Sequence, residues 1–204
     1  MASEGYADYK KQPTRPITIS DFPPRVKAWI PSAIDYFNKH HIDVTKLNSV
    51  KFVYPTFRGI CFPIDFGRLC FQERITQPGY LTRFWSPVGS PLGEVLYVPV
   101  TPALHEPLFV VEGLTDALAI RQSGYFSCAV VGAKVSEKQL EMLEGLSCKR
   151  PLYFIPDNDK AGEECNATLQ KALTIRVRHL PTQYKDVCDM ETADRHRFLK
   201  GAIK

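Results

Sequence analysis

Asp157-Asn158-Asp159 is a D-x-D tripeptide placed just after the apolar run LYFIP. Glu112-Gly113 follows a second apolar run, LFVV, and Lys185-Asp186 with Asp189 follow a third, IRVRHL. Asp116 lies one turn beyond Glu112, at the start of the next segment. Isolated, each has an ordinary reading: Asp157-Asn158-Asp159 as a helix cap and turn, Glu112 as a strand-end charge, Asp186 and Asp189 as loop charges. Together they put carboxylates at the ends of several strands, which suits a hard, oxygen-preferring cation such as Mg²⁺ (or Mn²⁺). Gly113 is expected to let the backbone turn tightly beside that cation.

The surrounding pattern predicts how these residues are positioned. From residue 107 onward, short buried strands (PLFVVEG, FSCAVVG, PLYFIPD, TIRVRHLP) alternate with helical segments (LTDALAIRQSG, VSEKQLEMLEGL, DKAGEECNATLQKAL). That alternation predicts βαβ units and a parallel sheet covered on both faces, with ligands at the carboxyl ends of the strands. Ser136 is a plausible helix N-cap, and Gly124 falls just past a helix end. Between residues 51 and 100, the runs KFVYPTF, GICFPIDF, RLCFQERI and EVLYVPV are punctuated by Pro and Gly, predicting about four strands of a small antiparallel sheet. A helix is expected over residues 24–40, ending in a solvated His40-His41, after a flexible arm over residues 1–23. The expected organisation is an α/β chain: arm and helix at 1–50, a basic β-rich subdomain at 51–103, an α/β domain at 104–192 and a tail at 193–204.

Composition narrows the classes. The chain has 204 residues, 44% hydrophobic and 24% charged, so it can bury a core. No run reaches the roughly 18–20 apolar residues of a membrane span, and the N-terminus has no apolar signal region, so a soluble intracellular protein is expected. The six cysteines form no C-x-x-C pair and the histidines have no finger spacing, so no zinc is expected in this chain. P-loop, nucleophile-elbow and H-E-x-x-H patterns are missing. The net charge is +4, and its surplus lies in residues 1–100, which hold 12 Lys and Arg against 8 Asp and Glu. Lys51, Arg58, Arg68, Arg74 and Arg83 are interleaved with aromatic residues including Tyr80. Such a surface can hold phosphates and stack bases, and it can equally be a solvated face over an aromatic core.

EGLTDALAI (112–120), AVVGAKVSEKQL (129–140) and LYFIPDNDKAG (152–162), in that order, resemble a Toprim domain. CFPIDFGRLCFQER (61–74), TQPGYLTRFWSP (76–87), VLYVP (95–99) and LPTQYKDVCDM (180–190) resemble the segments that flank Toprim in DnaG-type and phage-type DNA primases. The resemblance covers roughly residues 50–190. It departs at Cys188, where such primases often carry an acidic or amide residue, and in showing neither a zinc-ribbon module nor a helicase.

The resemblance implies the RNA-polymerising core of a DNA primase, as in a small phage or plasmid replication protein working in the host cytoplasm. It would synthesise short RNA primers from ribonucleoside triphosphates on a single-stranded DNA template. Asp157 and Asp159 would hold Mg²⁺, with Glu112 completing the metal shell or assisting proton transfer, and Asp116 and Asp186 forming a secondary set. Arg68 and Arg74 would contact triphosphate or template phosphates; Lys51, Arg58 and Arg83 are further template candidates, and Tyr80 could stack on a base. A zinc-binding protein and a replicative helicase would be separate partners, and no membrane is implied. Alternatives are a Toprim-family nuclease or repair enzyme, and a non-catalytic single-stranded DNA-binding subunit. A topoisomerase would need more chain.

Overall fold

The computed structural model describes residues 16–47, 53–65, 67–101, 103, 105–132 and 134–203. Two sheets dominate. The first is antiparallel, in the order β1 (Tyr54–Pro55), β2 (Gly59–Asp65), β3 (Cys70–Ile75), β4 (Phe84–Trp85). The second has β5 (Leu96–Tyr97), β6 (Leu108–Val111), β7 (Phe126–Val130), β8 (Leu152–Phe154) and β9 (Arg176–Val177) in the order β5-β7-β6-β8-β9. β6, β7, β8 and β9 are parallel, and β5 adds to one edge antiparallel. EVLYVPV therefore belongs to the second sheet, and the fourth strand of the first is Phe84–Trp85. Alternation revealed that Leu96 and Tyr97 are extended but could not say which edge they would join.

Helices α2 (Leu114–Gln122), α3 (Glu137–Ser147) and α4 (Lys160–Ala172) are the crossovers. Ser136 caps α3 by accepting from Gln139 N at 3.1 Å, while Gln139 Oε1 accepts from Ser136 N, a reciprocal capping box. β6 is buried along its whole length, as a central parallel strand must be. α2 is buried from Leu114 to Ile120, including Thr115 and Asp116, because the sheet, α5 (Thr192–Ala202) and the turn at Val187–Asp189 enclose it.

The first helix is shorter than expected. α1 spans Pro31–Lys39, with Ile30 extended before it (φ −72°, ψ 151°). Proline disfavours helical backbone in the residue before it and suits a helix's first turn, so Pro31 sets the start. His41, at φ +52°, ends the helix region. The fourth parallel strand pairs only at Arg176–Val177, and residues 193–204, expected as a tail, carry α5. Residues 1–15 of the expected arm lie outside the described residues.

One apolar cluster joins the two sheets. It takes Ile60, Phe62 and Ile64 from β2, Ala33 and Phe37 from α1, and Val111, Leu118 and Ile155 from the parallel unit. Phe62 and Tyr97 meet edge to face at 5.7 Å between ring centroids. A second cluster, including Leu143, Phe154 and Leu169, fills the opposite face of the parallel sheet under α3 and α4. Among the described residues, no helix is long and apolar enough to cross a membrane.

Candidate metal and nucleotide site

The parallel order of β6 and β8 brings their carboxyl ends side by side, since Val110 pairs with Phe154. Two residues on, the chain places Glu112 against the D-x-D loop: Glu112 Oε1 accepts from the Asp157 backbone N at 3.2 Å. The three D-x-D residues do three different things. Asp157 projects its carboxyl among other acids. Asn158 clamps the loop, donating through Nδ2 to Pro181 O (3.1 Å) and Tyr184 O (2.6 Å), while its own N–H bonds Lys185 O at 2.7 Å. Asp159 caps α4, accepting from Gly162 N at 3.0 Å. Its second oxygen lies 3.5 Å from Lys185 Nζ.

Gly162 is needed for a close approach. A Cβ there would overlap Asp157 O and lie 2.8 Å from Asp157 N. Gly113 has a similar role, which corrects the expected tight turn. Its backbone is ordinary (φ −94°, ψ 141°), but a Cβ would overlap the Asp116 carboxylate packed against it.

Charge crowding shapes the site. Burial, with Asp116, Glu112, Asp186 and Asp159 nearby, pushes the Asp157 carboxyl up to about 8. Asp116 is also raised, first by burial and then by Asp186, although it accepts from Cys188 N at 2.8 Å. Burial lifts Glu112 above the usual carboxylate range, partly offset by the Asp157 N–H. Asp159 moves the other way, lowered by the Gly162 N–H and the Lys185 ammonium. The five acids given metal roles from the sequence, Glu112, Asp116, Asp157, Asp159 and Asp186, thus converge.

The donor set is all oxygen, and its buried members strain against ionising together, so it fits a divalent hard cation. Glu112 also lines a cleft of about 200 Å³ with Gly132, Lys134, Ala161, Glu164 and Thr168. Lys134 follows the end of β7, a strand-end position that the same reasoning could have singled out.

The basic candidates divide. Arg74 lies between the Tyr36 and Phe84 rings, at 4.8 and 4.6 Å from their centroids. Tyr36 in turn hydrogen-bonds Thr115 at 2.8 Å, beside Asp116 on α2. Arg74 is therefore next to the acidic edge. Arg58 pairs with fully buried Glu73 and stacks on Trp85 at 5.0 Å, which gives it a structural place in the first sheet. Arg68 is half-exposed, donating to Glu94 O at 2.9 Å beside Asp65. Arg83 and Tyr80 are exposed near β4, and Lys51 lies outside the described residues.

His40 is the residue sequence reasoning misjudged. It is no solvated helix end: its Nδ1 lies 3.1 Å from Cys188 Sγ and 3.6 Å from Asp189 Oδ1. The two partners are 148 positions apart, so no spacing rule could have joined them.

With strand order, acidic edge and crossovers in place, comparison with known proteins finds a match within the second unit. Residues 109–190 match the Toprim-like family. The matched segment and the antiparallel sheet before it together share the fold of primase catalytic cores. The Aquifex aeolicus primase (zinc binding and RNA polymerase domains) superposes with a TM-score of 0.59 at 18% identity, over 85% of this chain and 56% of that one. The DnaG catalytic core gives 0.56 at 18% identity, over 89% and 66%. The DnaG primase catalytic domain bound to ssDNA gives 0.53 at 17%, over 88% and 66%. The chain spans about half to two-thirds of the length of the solved structures it matches. No curated protein matches its sequence.

Proposed function

We propose that this chain is the catalytic core of a DNA primase, joining ribonucleoside triphosphates on single-stranded DNA. The observation that carries the reading is the convergence of Glu112, Asp157 and Asp159 at adjoining ends of the parallel sheet. The likeness to primase cores, one of them bound to ssDNA, supports the choice of reaction.

Asp157, Asp159 and Glu112 would hold Mg²⁺ or Mn²⁺, with Asp116 and Asp186 flanking them. Such an ion neutralises charge on the transferring oxygens and favours an ionised 3′-hydroxyl. The protein's own part is positioning. Asn158 and Gly162 hold the D-x-D loop so that the Asp157 carboxyl stays aimed at the edge. Glu112, with its raised pKa, sits where it can complete the ion's shell or accept the hydroxyl proton. Lys134 in the adjoining cleft, and Lys185 beside Asp159, offer ammonium groups to a triphosphate. Arg74, held between two rings, would present its guanidinium to template or triphosphate phosphates. Arg68, Arg83 and Tyr80 would extend the track for single-stranded DNA. A zinc-binding module and a replicative helicase would act alongside it.

Incubating the protein with single-stranded DNA, labelled ribonucleotides and Mg²⁺ or Mn²⁺ tests this reading. Short labelled oligoribonucleotides are expected. Shortened DNA would instead assign the site to a nuclease, and DNA retention with neither product would assign it to a binding subunit.

A further inference from the structure

Beside the oxygen-rich edge lies a second cluster of different chemistry. His40 at the end of α1 meets Asp186, Cys188 and Asp189 of the turn after β9, and one donor atom from each lies within 4.8 Å of every other. Cys188 Sγ is 3.1 Å from His40 Nδ1 and 3.0 Å from Asp186 Oδ1; His40 Nδ1 is 3.6 Å from Asp189 Oδ1. The Zn–S and Zn–N or Zn–O lengths of tetrahedral zinc imply donor–donor edges of about 3.3–3.6 Å. Three donor separations, 3.0, 3.1 and 3.6 Å, lie near those edges, and the whole set lies within 4.8 Å.

The cluster is also preorganised. Asp186 caps the Val187–Asp189 turn by accepting from Asp189 N at 3.0 Å. Asp116 Oδ1 holds the Cys188 backbone N–H. The Tyr36 ring packs edge-on to the His40 imidazole, 4.6 Å between centroids. Fixing ligands through neighbouring groups in this way is what maintains metal affinity. A hard cation has no preference for thiolate and imidazole, whereas zinc does.

We propose that His40, Asp186, Cys188 and Asp189 form a site for a thiophilic divalent cation, zinc or its like, distinct from the magnesium edge. This runs against the sequence expectation of no zinc in the chain. It shares Asp186 with the set flanking the magnesium edge and binds α1 to the turn after β9. It does not depend on the primase reading, because it concerns ligand chemistry alone.

Cobalt(II) is the probe. Metal-stripped full-length protein titrated with Co²⁺ should bind one equivalent with a thiolate-to-cobalt charge-transfer band and tetrahedral visible absorption, both abolished by Zn²⁺. Zn²⁺ at saturating concentration should raise Tm by about 5 °C. Cys188→Ser should remove the charge-transfer band, and His40→Ala should weaken Co²⁺ binding by about tenfold or more. If Cys188→Ser does not fold, Asp189→Asn, at a partly exposed carboxylate, should weaken binding in its place. Asp157→Asn should keep the band, so loss of nucleotidyl transfer and loss of this site are read separately. Wild-type protein showing no charge-transfer band, or Cys188→Ser retaining it at unchanged affinity, would overturn the assignment.

Discussion

Above its ordinary value of 3.8, Asp157 is ionised in the unfolded chain, yet in the fold it keeps its proton up to about 8. The folded state thus binds the extra proton. The stability this gives is complete below the unfolded value and is lost as pH rises toward the folded one. Metal-free protein should therefore lose Tm between about pH 5 and pH 8, and Asp157→Asn, which carries no charge, should lose less. Mg²⁺ should restore the wild type at pH 8 and leave the variant almost unchanged. Parallel melting profiles for the two proteins would contradict the crowding described around Glu112, Asp116 and Asp186. At this scale most of the acids were legible in the sequence, since Glu112, Asp157, Asp159 and Asp186 come after apolar runs that had to be strands. Their hydrogen-bond duties were not: nothing in D-N-D says that the middle residue clamps Pro181 and Tyr184.

Elements place these side chains through a few close backbone approaches. Near the start of α4, alanine would ordinarily favour helix over glycine by about 1 kcal/mol. At Gly162 the sign should reverse, because the added methyl meets the Asp157 backbone. Gly162→Ala is expected to cost about 1–3 kcal/mol and to weaken Mn²⁺ binding, read by denaturant unfolding and by titration with Mn²⁺. A neutral or stabilising substitution would show that the loop does not depend on this contact. Apolar runs, Ser136 and the crossovers made the parallel unit readable. Edge pairing was less so. TIRVRHLP reads as a strand throughout but pairs only at Arg176–Val177, and Leu96–Tyr97 carried no mark of its partner β7. Both depend on contacts made after the chain has folded back, which local pattern does not encode.

Across the whole molecule, the two sheets share one core, and the buried Arg195 fastens its C-terminal side. Arg195 of α5 is fully buried and donates to Ser123 Oγ (3.0 Å), Met190 O (3.3 Å) and His41 O (3.1 Å), tying α5 to the ends of α1 and α2. Arg195→Ala would remove three hydrogen bonds and leave a cavity among these groups. It should cost about 3 kcal/mol and lower Tm by about 6–12 °C in a calorimetric scan. A shift within about 1 °C would show that α5 is not so anchored. The sequence offered residues 193–204 as a tail because their charged composition hides one apolar face and one arginine that points inward. The same blindness hid the pairing of His40 with Cys188.

Divalent-cation chemistry at the Glu112–Asp157 edge is the claim on which the functional account stands. It is tested most directly by labelled ribonucleotide incorporation on single-stranded DNA with Mg²⁺, comparing wild type with Asp157→Asn at matched DNA retention. The account predicts incorporation by the wild type and a loss of about a hundredfold or more in the variant, with retention nearly unchanged. Equal incorporation by the two proteins would contradict it.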